Sequence, residues 1–140
     1  EQQEEPWAGC VSISGPKGIS DRDWYGLNQM PIFTWSSLAQ GFLTGRITRE
    51  NFEDVKEDFP ESCIRSYCHE SNFQRLDRAK ELAEEMGLTV PQISLAYILS
   101  HPLNIFALTG CFSKEEFKSN IKVFSFKLDP EHLAWLGLKI

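Results

Sequence analysis

Apolar and polar positions change rhythm several times along this chain of 140 residues. Residues 31–35, PIFTW, form a short, bulky, partly β-branched run between a leading proline and two following serines, which predicts a buried strand. Residues 105–109, IFALT, form a second such run and empty into Gly110. Between them the period is helical. Leu76, Ala79, Leu82, Ala83 and Met86 recur behind Ser71-Asn72-Phe73-Gln74, which reads as a capping box, and Gly87 stands where a left-handed C-cap belongs. Thr89-Val90-Pro91-Gln92 opens a second helix whose middle, 93–99, is almost wholly apolar and has to be covered on several sides; His101-Pro102 ends it. Strand, helical crossover, strand predicts a parallel pair.

The flanks are shorter. Gly15-Pro16-Lys17-Gly18 marks a loop, and Ser20 is placed to cap a helix over 21–28 in which Trp24 and Leu27 share a face; Trp7, Trp24 and Tyr25 read as packing residues. The span 47–68 is weakly patterned, with one or two helical turns over 51–58 that stop at Pro60. Ser113-Lys114-Glu115-Glu116 is a third capping box, opening a helix with Phe117, Ile121 and Phe124 at helical or near-helical spacing. Asp129 caps a closing helix with Leu133 and Leu136 facing in.

Each strand ends in small residues. Ser36, Ser37, Gly41, Thr44 and Gly45 offer hydroxyls and unobstructed amides, and Arg46 adds a positive charge, a combination suited to a pyrophosphate. The second loop, 110–112, meets the positive N-terminus of the helix that Ser113 opens, which favours an anion. Two such loops at the C-terminal ends of parallel strands predict an α/β chain with a ligand across the strand ends.

Composition narrows the partners. A formal net charge of −6 with no basic cluster argues against a nucleic-acid backbone or an anionic membrane surface. The N-terminus is acidic and polar, and no apolar run reaches the ~18 residues of a membrane span, so a soluble, cytoplasmic protein is expected. Cys10, Cys63, Cys68 and Cys111 lack the density of a secreted disulfide scaffold and are expected as reduced thiols. Cys63, Cys68 and His69 invite a metal reading but lack a fourth ligand at a usual spacing, so packing thiols are the expected account.

The segment WSSLAQGFLTGR resembles the one that follows the seventh barrel strand of the aldo-keto reductase family, and LTGCFSKEEFKSN is similar to the one after the eighth. The run SNFQRLDRAKELAEEMGLTVPQISLAYILSHP between them resembles the joining helices of bacterial members. A (β/α)₈ barrel needs ~250 residues. The resemblance therefore implies the C-terminal part of a TIM barrel: two parallel strands, near 31–35 and 105–109, with flanking helices, in a single segment covering 1–140.

The resemblance also implies a nicotinamide cofactor, NADP(H) or NAD(H), with NADP slightly preferred, and hydride transfer to an aldehyde or ketone. It places the Trp35 ring against the nicotinamide, the Ser36 hydroxyl and the backbone around Leu38 and Gln40 near the pyrophosphate, and Arg46 on a phosphate oxygen. Gly110, Cys111 and Phe112 would pass beside the 2′-phosphate and ribose, with Glu116 nearby and Asn120 facing the adenine amino group. Two positions depart from the family pattern. Phe112 stands where a small residue is common, and Glu116 would repel a 2′-phosphate. The family's catalytic tyrosine, with its lysine, aspartate and histidine, belongs to early barrel strands and has no counterpart here, so the chain alone is expected to be inactive. Its partner is expected to be the missing N-terminal half of the barrel or a second copy. The alternative is a non-enzymatic barrel fragment that binds a nucleotide or a protein.

Overall fold

The computed structural model describes residues 2–140. Its centre is a two-stranded parallel sheet: β1, Ile32–Thr34, pairs with β2, Ile105–Ala107, in the register Ile32↔Ile105, Phe33↔Phe106, Thr34↔Ala107. Two bonds prolong the ladder, from the Ile32 amide to the Asn104 carbonyl and from the Leu108 amide to the Thr34 carbonyl, both at 2.9 Å. Both strands run where the apolar pattern put them, and their parallel sense follows from the long helical connection between them.

Seven α-helices surround this pair among the described residues: α1 Ile19–Asn28, α2 Phe52–Val55, α3 Glu61–Tyr67, α4 Glu70–Met86, α5 Val90–Ser100, α6 Lys114–Ile121 and α7 Pro130–Leu136. Helices α4 and α5 carry the core. The apolar stripe of α4 divides: Ala79, Leu82 and Ala83 pack with Ile93 and Leu95 of α5, while Phe73 and Leu76 pack with Phe42, Ile47 and Cys63. The α5 middle is apolar all round because it is covered all round, and its N-terminus is closed by reciprocal bonds between Thr89 and Gln92. Gly87 adopts φ 65°, ψ 34°, the left-handed cap that a side chain would disfavour, and turns the chain from α4 into α5. No helix among the described residues is long and apolar enough to cross a membrane.

Several expectations need correction. The strands are not buried on both sides: Phe33 is 63% exposed and Phe106 49%, stacked on each other at 5.1 Å. Two strands with helices over one face leave the other face bare. Helix α1 starts one residue before Ser20, at Ile19, with Gly18 as its cap; Arg22 instead secures this end by donating to the Ile13 and Gly15 carbonyls. It buries no residue: Leu27 faces outward and Trp24 is half-exposed, its ring edge-on to Tyr25. In α4 the helix begins before Ser71, and the Asn72 and Phe73 amides reach the His69 carbonyl rather than a Ser71 hydroxyl. Helix α3 was not foreseen, although Cys63 and Tyr67 share the i, i+4 spacing of a buried face.

Candidate functional site

The first loop leaves β1 in a conformation that few sequences adopt. Ser36, Ala39 and Gln40 have φ of 50°, 52° and 55°, and Gly41 and Gly45 have 100° and 82°. Left-handed backbone costs a non-glycine residue roughly 1–2 kcal/mol, so the surroundings must hold it. They do so from three sides. Ser37 Oγ donates to the Thr34 carbonyl at 3.1 Å, anchoring the turn to β1. The Leu38 carbonyl accepts from both the Gly41 and Leu43 amides, and the Ser36 carbonyl from the Ala39 amide. Phe42, 1% exposed, drives the turn into the core beside Phe73. At Gly41 the backbone at φ 100° calls for glycine, and a Cβ would also press on the Phe59 ring at 3.2 Å.

The side chains of this loop are partly engaged. Gln40 Oε1 accepts from Ser62 Oγ at 2.7 Å, tying the loop to α3. Arg46 is exposed; its Nε donates to Thr44 Oγ1 at 3.3 Å and its guanidinium lies over the Phe59 ring at 5.1 Å. Trp35 already has an aromatic neighbour, Trp7, at 4.5 Å and a tilt of 42°. Trp7 is itself half-exposed, so its packing role is that of a cover on Trp35 rather than a core residue.

The second loop is open. Phe112 is 98% exposed, and Gly110, Ser113 and Glu116 are exposed as well. Ser113 caps α6 by accepting from the Glu116 amide at 3.1 Å. The reciprocal half of the box is displaced by one residue, because Glu116 Oε2 accepts from the Phe112 amide at 2.7 Å. Asn120 Nδ2 points back to Cys111 Sγ at 3.4 Å. The row Phe117, Ile121 and Phe124 faces outward.

A cavity of about 700 Å³ lies between the sheet, α4, α5 and the N-terminal segment. Of the ten residues singled out in the sequence it takes in Trp35 and Ser36; Leu38, Gln40, Arg46, Gly110, Cys111, Phe112, Glu116 and Asn120 lie outside it. The structure thus sets both loops at one end of the sheet but does not enclose them in one cleft. Tyr67, Arg75 and His101, which sequence reasoning had not placed in a site, line the cavity. Tyr67 is buried, and burial, with a smaller contribution from the neighbouring thiols, pushes its hydroxyl up to about 12. His101 is pushed below the ordinary histidine value by burial first and by Lys139 and Arg22 second. None of the described residues that line the cavity is acidic, in a chain of net charge −6.

These observations allow a test of fit. Exposed Arg46 and the Ser36 hydroxyl are donors of the kind a pyrophosphate uses, whereas the Thr44 hydroxyl donates to the Gly41 carbonyl at 2.6 Å. The other end does not fit a 2′-phosphate, since the Phe112 amide that could meet it already carries a carboxylate. Among the described residues no group of three or more His, Cys, Asp or Glu side chains is placed to hold a metal ion.

Comparison with known proteins adds a family. The model of the aldo/keto reductase family matches residues 23–136. Versiconal hemiacetal acetate reductase of Aspergillus parasiticus is 26% identical over 106 residues, 75% of this chain and 31% of that protein. A probable voltage-gated potassium channel subunit beta of Oryza sativa subsp. japonica is 28% identical over 102 residues, 70% of this chain and 30% of that protein. Probable pyridoxal reductase 2 of Schizosaccharomyces pombe is 26% identical over 110 residues, 74% and 33% respectively. The chain spans about a third of the length of these relatives.

Proposed function

Because this chain belongs to the aldo/keto reductase family, we propose that it forms the last two strand–helix units of a (β/α)₈ barrel and supplies the dinucleotide-binding loops of an NAD(P)H-dependent reductase of aldehydes or ketones. The observation that carries this reading is the parallel register of β1 and β2, which sends the loops 36–46 and 108–113 out at the same end of the sheet. In α/β barrels that end is the ligand face. Bound there, the nicotinamide would supply the hydride.

The chain's own residues would bind and orient. Trp35 would offer a ring face to the flat heterocycle, with Trp7 as its movable cover. Ser36, which lines the same cavity as Tyr67, and the turn at Leu38 and Gln40 would line the pyrophosphate, with Arg46 supplying charge. Gly110, Cys111 and Phe112 would flank the ribose, with Asn120 toward the base. The Glu116 carboxylate on the Phe112 amide favours a free 2′-hydroxyl, hence NADH, over the slight NADPH preference that the family resemblance implies.

The general acid would come from elsewhere. The bare face formed by Phe33 and Phe106 and the unpaired edges of β1 and β2 suit further barrel strands, carried by another polypeptide or by a second copy. A second reading, a non-enzymatic binding module, is favoured by the same exposed aromatic face and by similarity to a protein named as a channel subunit. The deciding experiment is native mass spectrometry with NADH and NADPH added to the purified chain, with and without a polypeptide bearing the remaining strands. A complex of both polypeptides with one dinucleotide supports the reductase reading. A chain that binds neither dinucleotide, alone or in the complex, overturns it.

A further inference from the structure

The segment 2–10 is fastened to α3 and carries Trp7 onto the ring that the proposed cofactor would use. Arg65, in the last turn of α3, holds it from the side. Its Nη2 donates to the Pro6 carbonyl at 3.0 Å, its Nη1 donates to Glu61 Oε1 at 3.0 Å, and its Nε lies 3.9 Å from Glu4 Oε2. One residue on, the Ser66 carbonyl accepts from the Gln3 amide at 2.9 Å, and Gln3 Nε2 donates to Ser71 Oγ at 3.4 Å. Pro6 and Cys10 are buried on either side of Trp7, which is itself 53% exposed. Between them the Cys10 amide donates to the Trp7 carbonyl at 3.2 Å, and Gly9 turns the chain at φ 78°. Trp7 therefore rides on a turn held at both ends, and its ring meets that of Trp35 at 4.5 Å.

We propose that segment 2–10 is a strap, latched by Arg65, that closes the Trp35 ring face and has to lift before the nicotinamide end of a dinucleotide can stack there. Two indoles with centroids 4.5 Å apart leave no room for a third ring, which needs about 3.5 Å on each of its faces. The closed strap and the heterocycle thus compete for one surface. Gln2 and residues 11–15 line the cavity that takes in Trp35 and Ser36, so the same stretch of chain also walls that cavity.

Arg65 makes the strap releasable. A guanidinium on a carbonyl is a strong bond, yet the Arg65 side chain is 38% exposed, so water can take over its partners when the strap lifts. A dinucleotide that binds only the open form has its affinity reduced by the fraction of chains that are open. Removing the latch therefore raises affinity, whereas losing a merely structural contact would lower it. The latch stands on the contacts of Arg65 and Gln3; the gating of a dinucleotide rests on the function proposed above.

The full chain, Arg65→Gln and Trp7→Ala are compared by amide exchange, by circular dichroism of the coupled indole pair and by titration with NADH. Arg65→Gln should raise exchange at the Gln3 amide roughly tenfold and weaken the indole-pair signal, which Trp7→Ala removes. Both variants should bind NADH about three- to tenfold more tightly than the unsubstituted chain. Unchanged Gln3 exchange and an unchanged indole signal in Arg65→Gln overturn the latch. A loosened strap with NADH bound no more tightly in either variant overturns the gating and leaves the reductase reading standing. A strap that loosens in Arg65→Gln while none of the three chains binds NADH upholds the latch, and overturns the gating together with the cofactor reading.

Discussion

The two loops at the end of the sheet look alike in sequence and are held by different means. Loop 36–46 is fastened from below: Phe42 and Ala39 enter the core, Gln40 and the Ala39 carbonyl are tied to α3, and five of its residues stand in the left-handed region. Loop 108–113 has no such floor. It is kept in place by the cap of α6 and by the Glu116 carboxylate on the Phe112 amide, all of it at the surface. A ligand bridging them would meet one preformed wall and one adjustable one. The tight wall costs stability to build, and in the proposed function the open one would leave specificity to a single carboxylate.

The largest effect is expected at the floor of the first loop. Phe42→Ala should cost about 3–5 kcal/mol in urea unfolding, because a ring that is 1% exposed leaves a cavity. Loss comparable to a surface substitution would show that the loop does not depend on its floor. The Tyr67 hydroxyl comes next. Its folded value of about 12 exceeds the ordinary phenol value, so the stability it contributes is complete below about pH 10 and is lost as pH rises toward 12. Tyr67→Phe should flatten that segment of the stability profile, a difference on the order of 2 kcal/mol; a parallel profile would mean that the hydroxyl is not held protonated by burial.

The second loop should respond more weakly. Ser113→Ala removes the α6 cap and is expected to cost about 1 kcal/mol by denaturant unfolding, with little change in exchange at loop 36–46. Glu116→Arg should barely change stability, since its partner is an exposed amide, yet it should shift the NADPH:NADH affinity ratio upward by roughly tenfold. Fluorescence titration of the four tryptophans reads this ratio; an unchanged ratio would show that the carboxylate does not face the ribose.

Legibility in the sequence tracked how local the physics was. The Thr89–Gln92 box, the Gly87 cap, the Asp129 cap and both strands are short-range patterns, and the structure has them all. The Ser71 box failed because α4 begins two residues earlier, with His69 as its cap, so Ser71 already lies inside the first turn. Ser20 failed because the turn Pro16–Gly18 runs straight into α1, which starts at Ile19 and leaves Ser20 inside the first turn rather than ahead of it. Among the candidate site residues, Arg46 and Gln40 were visible as types, but their engagement by Phe59 and Ser62 was not, since those partners come from the poorly patterned 47–68 span.

The sequence by itself determined the periodicities, the parallel strand pair and the family, because each depends on residue order within a window or on motifs in a row. Only the tertiary structure decided that Tyr67 and Ser36 line one cavity, that Trp7 covers Trp35, that Cys63 donates to Ala39 and that Phe33 and Phe106 lie bare. Those facts depend on which surfaces meet after the chain turns back on itself, and most of these partners lie 24 or more residues apart, beyond the reach of any local pattern.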